Sequence, residues 1–394
     1  MNRRIAIIGG GISGITSALK FAKDKNNIVH IFEKRSCILK GPPYCHLHAG
    51  GILYPEISLE DAQSLLEDSI LFANRFPDCL NYRPTIVAYK SESAYLPSKL
   101  LFKCKVNKIS YQYNKLHPFG RVDNFYAIYN REDVMHYKQN GKLPESNEVG
   151  RNFHDLYVEH FCKLLEDIDS IKYPFVSVCE PGIDQEKVEK LLDNDLKLSK
   201  NIQLFLNKEI QLVQLDNYDI IVNASGKNIF NEIFKIDGNV EDNVNEIYEF
   251  KSSWIIKSPL RLHNFPEIAI IGERDTDNGM VQLTPLIDGK FQVHCMRSDS
   301  TIISTFKDGC SKNVELTQEN IEKRSRVAIS QVSKYFPIFA MSYPDKPCFG
   351  VQRILGNDKS QRTSHIKIKM ECDKKYIDII TLKASSIISL MNKI

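Results

Sequence analysis

Four glycines within six residues constrain this chain more than any other feature. Ile5, Ala6, Ile7 and Ile8 form a short continuous apolar run, as a parallel strand buried on both faces requires. Gly9, Gly10, Gly11, Ile12, Ser13 and Gly14 follow directly and satisfy the G-x-G-x-x-G spacing. In such a turn Gly9 permits the tight reversal, Gly11 lets the backbone approach a pyrophosphate, and Gly14 lets the next helix pack close to the strand. Ile15, Ala18, Leu19 and Ala22 continue at helical spacing, and the amides of Ile12 and Ser13 at that helix start form an anion site. Residues 28–32 read as a second strand, with Glu33 at its end, nineteen positions after Gly14. A carboxylate there can accept hydrogen bonds from the ribose of an adenosine. Strand, turn, helix, strand and acid arrive in order, so the expected ligand is a dinucleotide.

The remaining composition excludes several classes. The 394 residues carry 52 Lys plus Arg against 49 Asp plus Glu, a net charge of +3. So balanced a chain, without a basic block or aromatic-interleaved basic stripe, is not expected to bind nucleic acid. No stretch approaches the roughly 18 apolar residues of a membrane span, so no integral membrane segment is expected and the expected location is cytoplasmic. Arg3 and Arg4 precede an apolar run, but that run is needed as the first strand and is not a signal peptide. Ten scattered cysteines contain no C-x-x-C pair, and most are read as buried thiols. His46 and His48 beside Cys45 lack further ligands at suitable spacing, and no metal is expected.

Along the chain, Ser58 with Asp61 is a helix start, with Leu65, Leu66, Ile70, Ala73 and Phe76 on the apolar face and Pro77 as the stop. From Arg83 to about Asn130 the composition reads as strand pieces, and 138–148 as an exposed loop. A helix from Asn152 or Asp155 is expected to bury Phe153, Leu156, Tyr157, His160, Phe161, Leu164, Leu165 and Ile168, with His160 as a core histidine. Asp184 caps a further helix through Val188, Leu191 and Leu192, and 202–206 and 218–222 read as strands. The second ends on Asn223, Ala224, Ser225 and Gly226, small residues at a strand's carboxyl end, where open α/β sheets bind ligands. Asp288 and Gly289 mark a hairpin in which Phe291, Val293 and Cys295 face one way and Gln292, His294 and Met296 the other. One of these faces is expected to look onto a substrate cavity, which makes His294 a candidate catalytic residue. Thr317 opens a helix stopped by Pro337, and a strand over 376–380 and a helix over 382–391 close the chain.

With these segments in place, the chain resembles the FAD-dependent oxidoreductases of the D-amino acid oxidase type, which include glycine and sarcosine oxidases and dimethylglycine dehydrogenase. The resemblance rests on Gly9 to Gly14 with Glu33, on His48-Ala49-Gly50-Gly51, on Glu180-Pro181-Gly182-Ile183-Asp184, and on 219–226. It also rests on Phe336-Pro337, Gly350 to Arg353 and Thr381 to Ser385. It implies an α/β fold, with a Rossmann-like FAD-binding domain (1–82, 150–228 and 346–394) interleaved with a second, strand-rich α+β substrate domain (83–149 and 229–345). It implies FAD as the cofactor. Gly9, Gly11 and Gly14 would meet the pyrophosphate, Glu33 with Lys34 or Arg35 the adenosine ribose, and Ala224, Ser225 and Gly226 the dinucleotide from the neighbouring strand. Ala49, Gly50 and Gly51 would pass along the flavin ring, and Ala384 and Ser385 would approach its pyrimidine end.

The reaction implied is removal of two electrons from a small amine or amino acid, with hydride passing to the flavin. The alternatives are a 2-hydroxy-acid dehydrogenase and a redox-neutral flavoprotein. An acidic substrate would need an arginine clamp, and Arg353 is the candidate. It departs from the family in standing three residues after Gly350 and before Ile354, and a domain-interface ion pair is the competing role. In dimethylglycine and sarcosine dehydrogenases a histidine before small residues bonds covalently to the flavin, and His48 matches that position; the alternative is a histidine that only lines the site. The expected partners are a small-molecule substrate and an electron acceptor that no motif identifies, with a homodimer as an open alternative.

Overall fold

The computed structural model describes residues 2–40, 46–141, 151–230, 233–234, 246–258, 265–273, 276–286, 289–301, 303–306, 317–355 and 364–394. Cys45, most of the expected loop 138–148 and Asp288 lie outside them. In chain order the first elements are β1 Arg4–Ile8, α1 Ile12–Phe21, β2 Ile28–Phe32, α2 Leu59–Arg75, β3 Leu80–Asn81, β4 Thr85–Tyr89, α3 Pro97–Tyr113 and β5 Tyr126–Tyr129. Then come α4 Arg131–Asn140, α5 Arg151–Leu164, β6 Phe175–Val178, β7 Gly182–Ile183, α6 Gln185–Leu198, β8 Ile202–Phe205 and β9 Ile220–Asn223. The rest are β10 Glu246–Lys257, β11 Glu267–Ile271, β12 Val281–Pro285, β13 Lys290–Cys295, β14 Ile303–Phe306, α7 Gln318–Ser333, β15 Tyr343–Leu355, β16 His365–Glu371, β17 Lys374–Ile380 and α8 Ile387–Asn392.

The first sheet has the order β16-β17-β9-β1-β2-β8 and is parallel except for the edge strand β16. Ile5 and Ile7 of β1 join one core under α1, α2, α6 and α8, while Ala6 and Ile8 join another on the opposite face. That two-sided burial is why the strand is apolar at every position. From β1 the chain steps to β2 and β8 on one side and to β9 and β17 on the other, so strand order reverses at β1. The crevice outside the carboxyl ends of β1 and β9 is where such sheets bind ligands.

The second sheet runs β14-β10-β13-β12-β11-β4-β6-β5, with β15 paired to β10, and is antiparallel except between β4 and β11. One face, with Ile86, Ile268, Ile270, Leu283, Phe291, Val293 and Cys295, packs under α5 and α7. Gln292 faces the other way and donates to Ser253 at 2.7 Å. The two faces of the expected hairpin are therefore as the alternation implied.

Four expectations change. Residues 97–113 are a helix, not strand pieces, and 131–140 are another, which takes in the first residues of the expected loop 138–148. The first is apolar on two faces and so shows no single stripe; the second starts on an Asn130–Asp133 capping box. In α5 the buried residues are His154, Val158, Phe161 and Cys162, while Leu156 is 49% exposed. The core histidine is His154 rather than His160, with Ser177 Oγ and the Asn124 carbonyl each 2.8 Å from its ring nitrogens. Burial pushes its pKa down to about 4, against the pull of that carbonyl. Sheet membership also departs from the expected division: β6 and all of β15 belong to the second sheet, although 150–228 and 346–394 were assigned to the first domain.

Arg353 of β15 binds the two sheets together. Nε and Nη2 donate to Glu246 at 2.8 and 2.7 Å, Nη1 and Nη2 to Asp378 of β17 at 2.9 and 2.7 Å, and Nη1 also to the Lys227 carbonyl at 3.3 Å. All five N–H groups are taken. Asp378 also accepts from Asn223 at 2.8 Å. Burial lowers the arginine's pKa, but the two carboxylates outweigh it and hold the group above its ordinary value. Arg353→Ala leaves the buried Asp378 without a cation and half-buried Glu246 with only Lys367, 3.3 Å away, which should cost about 3–5 kcal/mol, read as a lowered urea midpoint.

Candidate functional site

At the carboxyl end of β1 the glycines are fixed by close packing. Gly9 has φ +104°, and a Cβ there would lie 2.6 Å from the Ala224 carbonyl oxygen; one on Gly14 would lie 1.8 Å from the Gly9 oxygen. Strand, turn and helix can approach this closely only without those side chains. Gly11 differs: a Cβ built on it meets no atom within 4 Å. It caps α1 with no side-chain hydrogen bond, and the first turn of that helix, with half-buried Ile12 and buried Ser13, carries no acidic residue. The free amides of the helix start therefore face open space at Gly11. Glu33 is buried, and its carboxylate accepts from Gly10 N at 2.7 Å and Arg35 N at 2.9 Å, so it braces the turn from the end of β2. Lys34 and Arg35 are exposed beside it, and the Arg35 guanidinium donates to the Lys40 carbonyl.

Two neighbouring segments converge on this turn. Ala224 N donates to Ile8 O at 2.9 Å, Asn223 Oδ1 accepts from the amide and hydroxyl of Ser225, and Gly226 has φ +74° with open space around it. Ser13 Oγ lies 2.8 Å from Thr381 Oγ1, which anchors the approach to Ala384 and Ser385. The hydroxyls of Ser385 and Ser386 are buried without a hydrogen-bond partner. Orphaned buried hydroxyls are rare in a packed protein and suit a bound polar group.

The segment from His46 to Tyr54 lies between the two sheets. Gly50 and Gly51 have φ +98° and +58°, and Cβ atoms on them would strike Asn107 at 2.3 Å and Ile57 at 2.4 Å. These two glycines are thus required by the packing of α3 and of the start of α2. Asn107 donates to the Gly50 carbonyl at 2.9 Å, and Lys103 to that of Tyr54 at 2.5 Å. Ala49 is buried and His48 half-buried.

A polar chain crosses the site. Lys383 Nζ donates to Tyr54 OH at 2.9 Å, and that hydroxyl lies 3.1 Å from His48 Nδ1, itself 3.1 Å from His46 Nε2. His46 Nδ1 meets Glu267 Oε1 at 2.9 Å. Glu267, with no exposed surface, also accepts from Gln282 at 2.5 Å and from Arg83 at 2.7 Å. Burial works to raise its pKa, but the charges of His46 and Arg83 and the bonds from His46 and Gln282 hold it down to about 2. An ionised Glu267 holds an N–H of His46 at Nδ1, and Nε2 lies toward His48. His294 stands opposite Gln282 in the β12–β13 ladder, on the same side of the sheet.

Of the expected catalytic residues, His48 and His294 border this region, whereas Arg353 does not. Its guanidinium is saturated by Glu246 and Asp378, so in place of a substrate clamp it is an ion pair between the sheets. Glu267, Gln282 and Tyr54 carried no sequence signal, because their roles depend on contacts between segments far apart in the chain. Lys383 and Glu180 both lie in segments that the resemblance singled out, and neither was given a role there. Glu180 is fully buried, neither oxygen has a side-chain hydrogen-bond partner, and burial raises its pKa to about 7 against the charges of His46 and Lys103 and the nearby Ile52 backbone, with Glu267 adding to the rise.

The sign of the Glu180 effect follows directly. Between 4.5 and about 7 the folded chain holds a proton that the unfolded chain has released, so this group's stability contribution falls as pH rises through that window, by about 3 kcal/mol in total. From pH 5 to pH 8 the native protein should therefore lose roughly 2–3 kcal/mol more unfolding free energy in urea than Glu180→Gln, the opposite shift of His154 being common to both.

No family model and no curated protein sequence matches this chain. Solved structures do. NikD, an unusual amino acid oxidase essential for nikkomycin biosynthesis, matches with a TM-score of 0.65 at 9% identity, covering 100% of this chain and 92% of that one. Glycine oxidase from Geobacillus kaustophilus matches at 0.63 and 10% identity, over 99% and 93% of the two chains. L-α-glycerophosphate oxidase from Mycoplasma pneumoniae, with FAD bound, matches at 0.60 and 13% identity, over 99% and 93%. The chain shares the fold of these oxidases along essentially its whole length.

Proposed function

We propose that this protein is an FAD-dependent oxidoreductase that removes two electrons from a small amine or amino acid. The observation that carries the cofactor reading is the open space at Gly11, at the amide-rich start of α1 and at the point where strand order reverses. The residues fit the group. Gly11 and the amides of Ile12 and Ser13 suit a pyrophosphate, Glu33 retains lone pairs for a ribose, and the orphaned hydroxyls of Ser385 and Ser386 suit the polar edge of a flavin. When bound, FAD supplies the electron-accepting ring that takes up hydride.

The amine reading is supported by the similar structures of glycine oxidase and iminodiacetate oxidase. In this reading the substrate lies against the polar side of the second sheet, near Gln282, Gln292 and His294. The ordered contact of His46 with Glu267 holds His48 and Tyr54 in register at its edge, and Lys383 brings positive charge to the same rim. Loss of a proton from a substrate ammonium is needed before the nitrogen lone pair can assist hydride departure, and in this reading His48 or His294 accepts it. The domain division proposed with this function is a nucleotide domain on the first sheet and a substrate domain on the second.

The test is anaerobic bleaching of the flavin absorbance by amino acids, N-methyl amines and hydroxy acids. Bleaching by amines with release of ammonia, amine or aldehyde supports the reading, and bleaching by hydroxy acids alone overturns it. Before that, the protein should purify yellow with one FAD per chain. Gly11→Val should lose the flavin yet keep its fold, since the added atoms enter open space, whereas Gly14→Ala should lower the thermal midpoint outright. Acid denaturation then reads the bond at His48: flavin retained in the pellet of the native protein and lost in His48→Ala marks covalent attachment.

A further inference from the structure

Helix α3 is apolar on two opposite sides, and only one of them is buried among the described residues. On the inner side Leu100, Cys104 and Tyr111 are buried, and Lys103 and Asn107 hold the Tyr54 and Gly50 carbonyls. On the outer side Phe102, Val106, Ile109 and Tyr113 recur at the spacing of a single helical stripe. Phe102, Ile109 and Tyr113 are 57%, 54% and 82% exposed. Large apolar side chains lined up on a surface and rimmed by polar ones mark a contact with something outside the molecule.

The charge says what that something is. The helix carries four lysines and no aspartate or glutamate. By helical geometry Lys99 and Lys105 flank the stripe, one on each side, about 60° from Phe102. Neither pairs with a carboxylate among the described residues. Asp123 lies 4.0 Å from Lys108, off the stripe, and Glu56 and Glu180 act on Lys103 on the inner side. An apolar stripe edged by lysines matches the boundary of a bilayer, where side chains such as Phe and Ile reach the acyl region and ammonium groups meet lipid phosphates. A second copy of the chain fits less well. A two-fold contact through this face would set lysine against lysine, with no carboxylate on the helix to offset them.

We propose that the outer face of α3 is a peripheral membrane contact for an anionic lipid surface. The contact itself needs no flavin. Its bearing on the site rests on the function proposed above: the inner face of the same helix holds Gly50 and Tyr54, so a lipid phase would sit about one helix diameter, roughly 10–12 Å, from the candidate flavin loop.

The test is co-sedimentation of the full-length protein with vesicles of phosphatidylglycerol and phosphatidylcholine in equal parts, and with phosphatidylcholine alone. Binding is expected to the anionic vesicles, to fall with added salt, and to weaken roughly tenfold or more in Phe102→Ser/Ile109→Ser and in Lys99→Glu/Lys105→Glu. Because these side chains are exposed, the thermal midpoint and any bound flavin should not change. The inference is overturned by absence of binding to anionic vesicles or by equal binding of the native protein and the Phe102/Ile109 variant. It is also overturned by a dimer in sedimentation velocity that the same variant dissolves, which would assign the stripe to a second copy. Vesicle binding is read without turnover, so its failure is distinct from a failure of the flavin reading.

Discussion

A carboxylate with no exposed surface persists as an anion only when donors surround it, and in this protein that group is Glu267. Arg83 lies just before β4, Gln282 is on β12, and His46 opens the segment that runs between the sheets; all three converge on the first residue of β11. Removing any one of them leaves charge buried and incompletely met, so the three segments are fixed together. The position of His46 and its N–H at Nδ1 follow, then the placing of His48, Tyr54 and Lys383.

The same physics explains why Arg353 is not a substrate clamp. Its five donors are all consumed inside the protein, and an arginine so satisfied has none left for a ligand. The charge pairs at Glu267 and Arg353 thus act as fixed points for loops and sheets. Groups that keep unmet capacity are the free amides at Gly11, the hydroxyls of Ser385 and Ser386, the Glu180 carboxyl and, beside Glu267, Nε and Nη1 of Arg83. Unmet capacity in a buried place is the better guide to where a ligand belongs.

Helix α3 shows how one element can serve two surroundings. Its inner face is specified by the loop that carries Gly50, down to the 2.3 Å clearance that excludes a Cβ. Its outer face makes no comparable demand from within the fold. A helix with apolar residues on both sides gives no 3.6-residue stripe, which is why 97–113 read as strand pieces.

Local chemistry was legible wherever the constraint was local. β1, the glycine turn, α1, β2 and Glu33 follow from residues within thirty positions of one another, as do the Ser58, Asp184 and Thr317 caps, each of which accepts the expected backbone amide. The amino-acid sequence alone therefore determined the nucleotide-type turn and the alternation of β13. What only the tertiary structure decided are the partners of charged and polar groups: Arg353 with Asp378, His46 with Glu267, His154 in the core in place of His160, and the membership of β6 and β15. The physical reason is that a charged side chain is specified by whatever lies within about 3 Å of it, and for those residues the partners come from segments that only folding brings together.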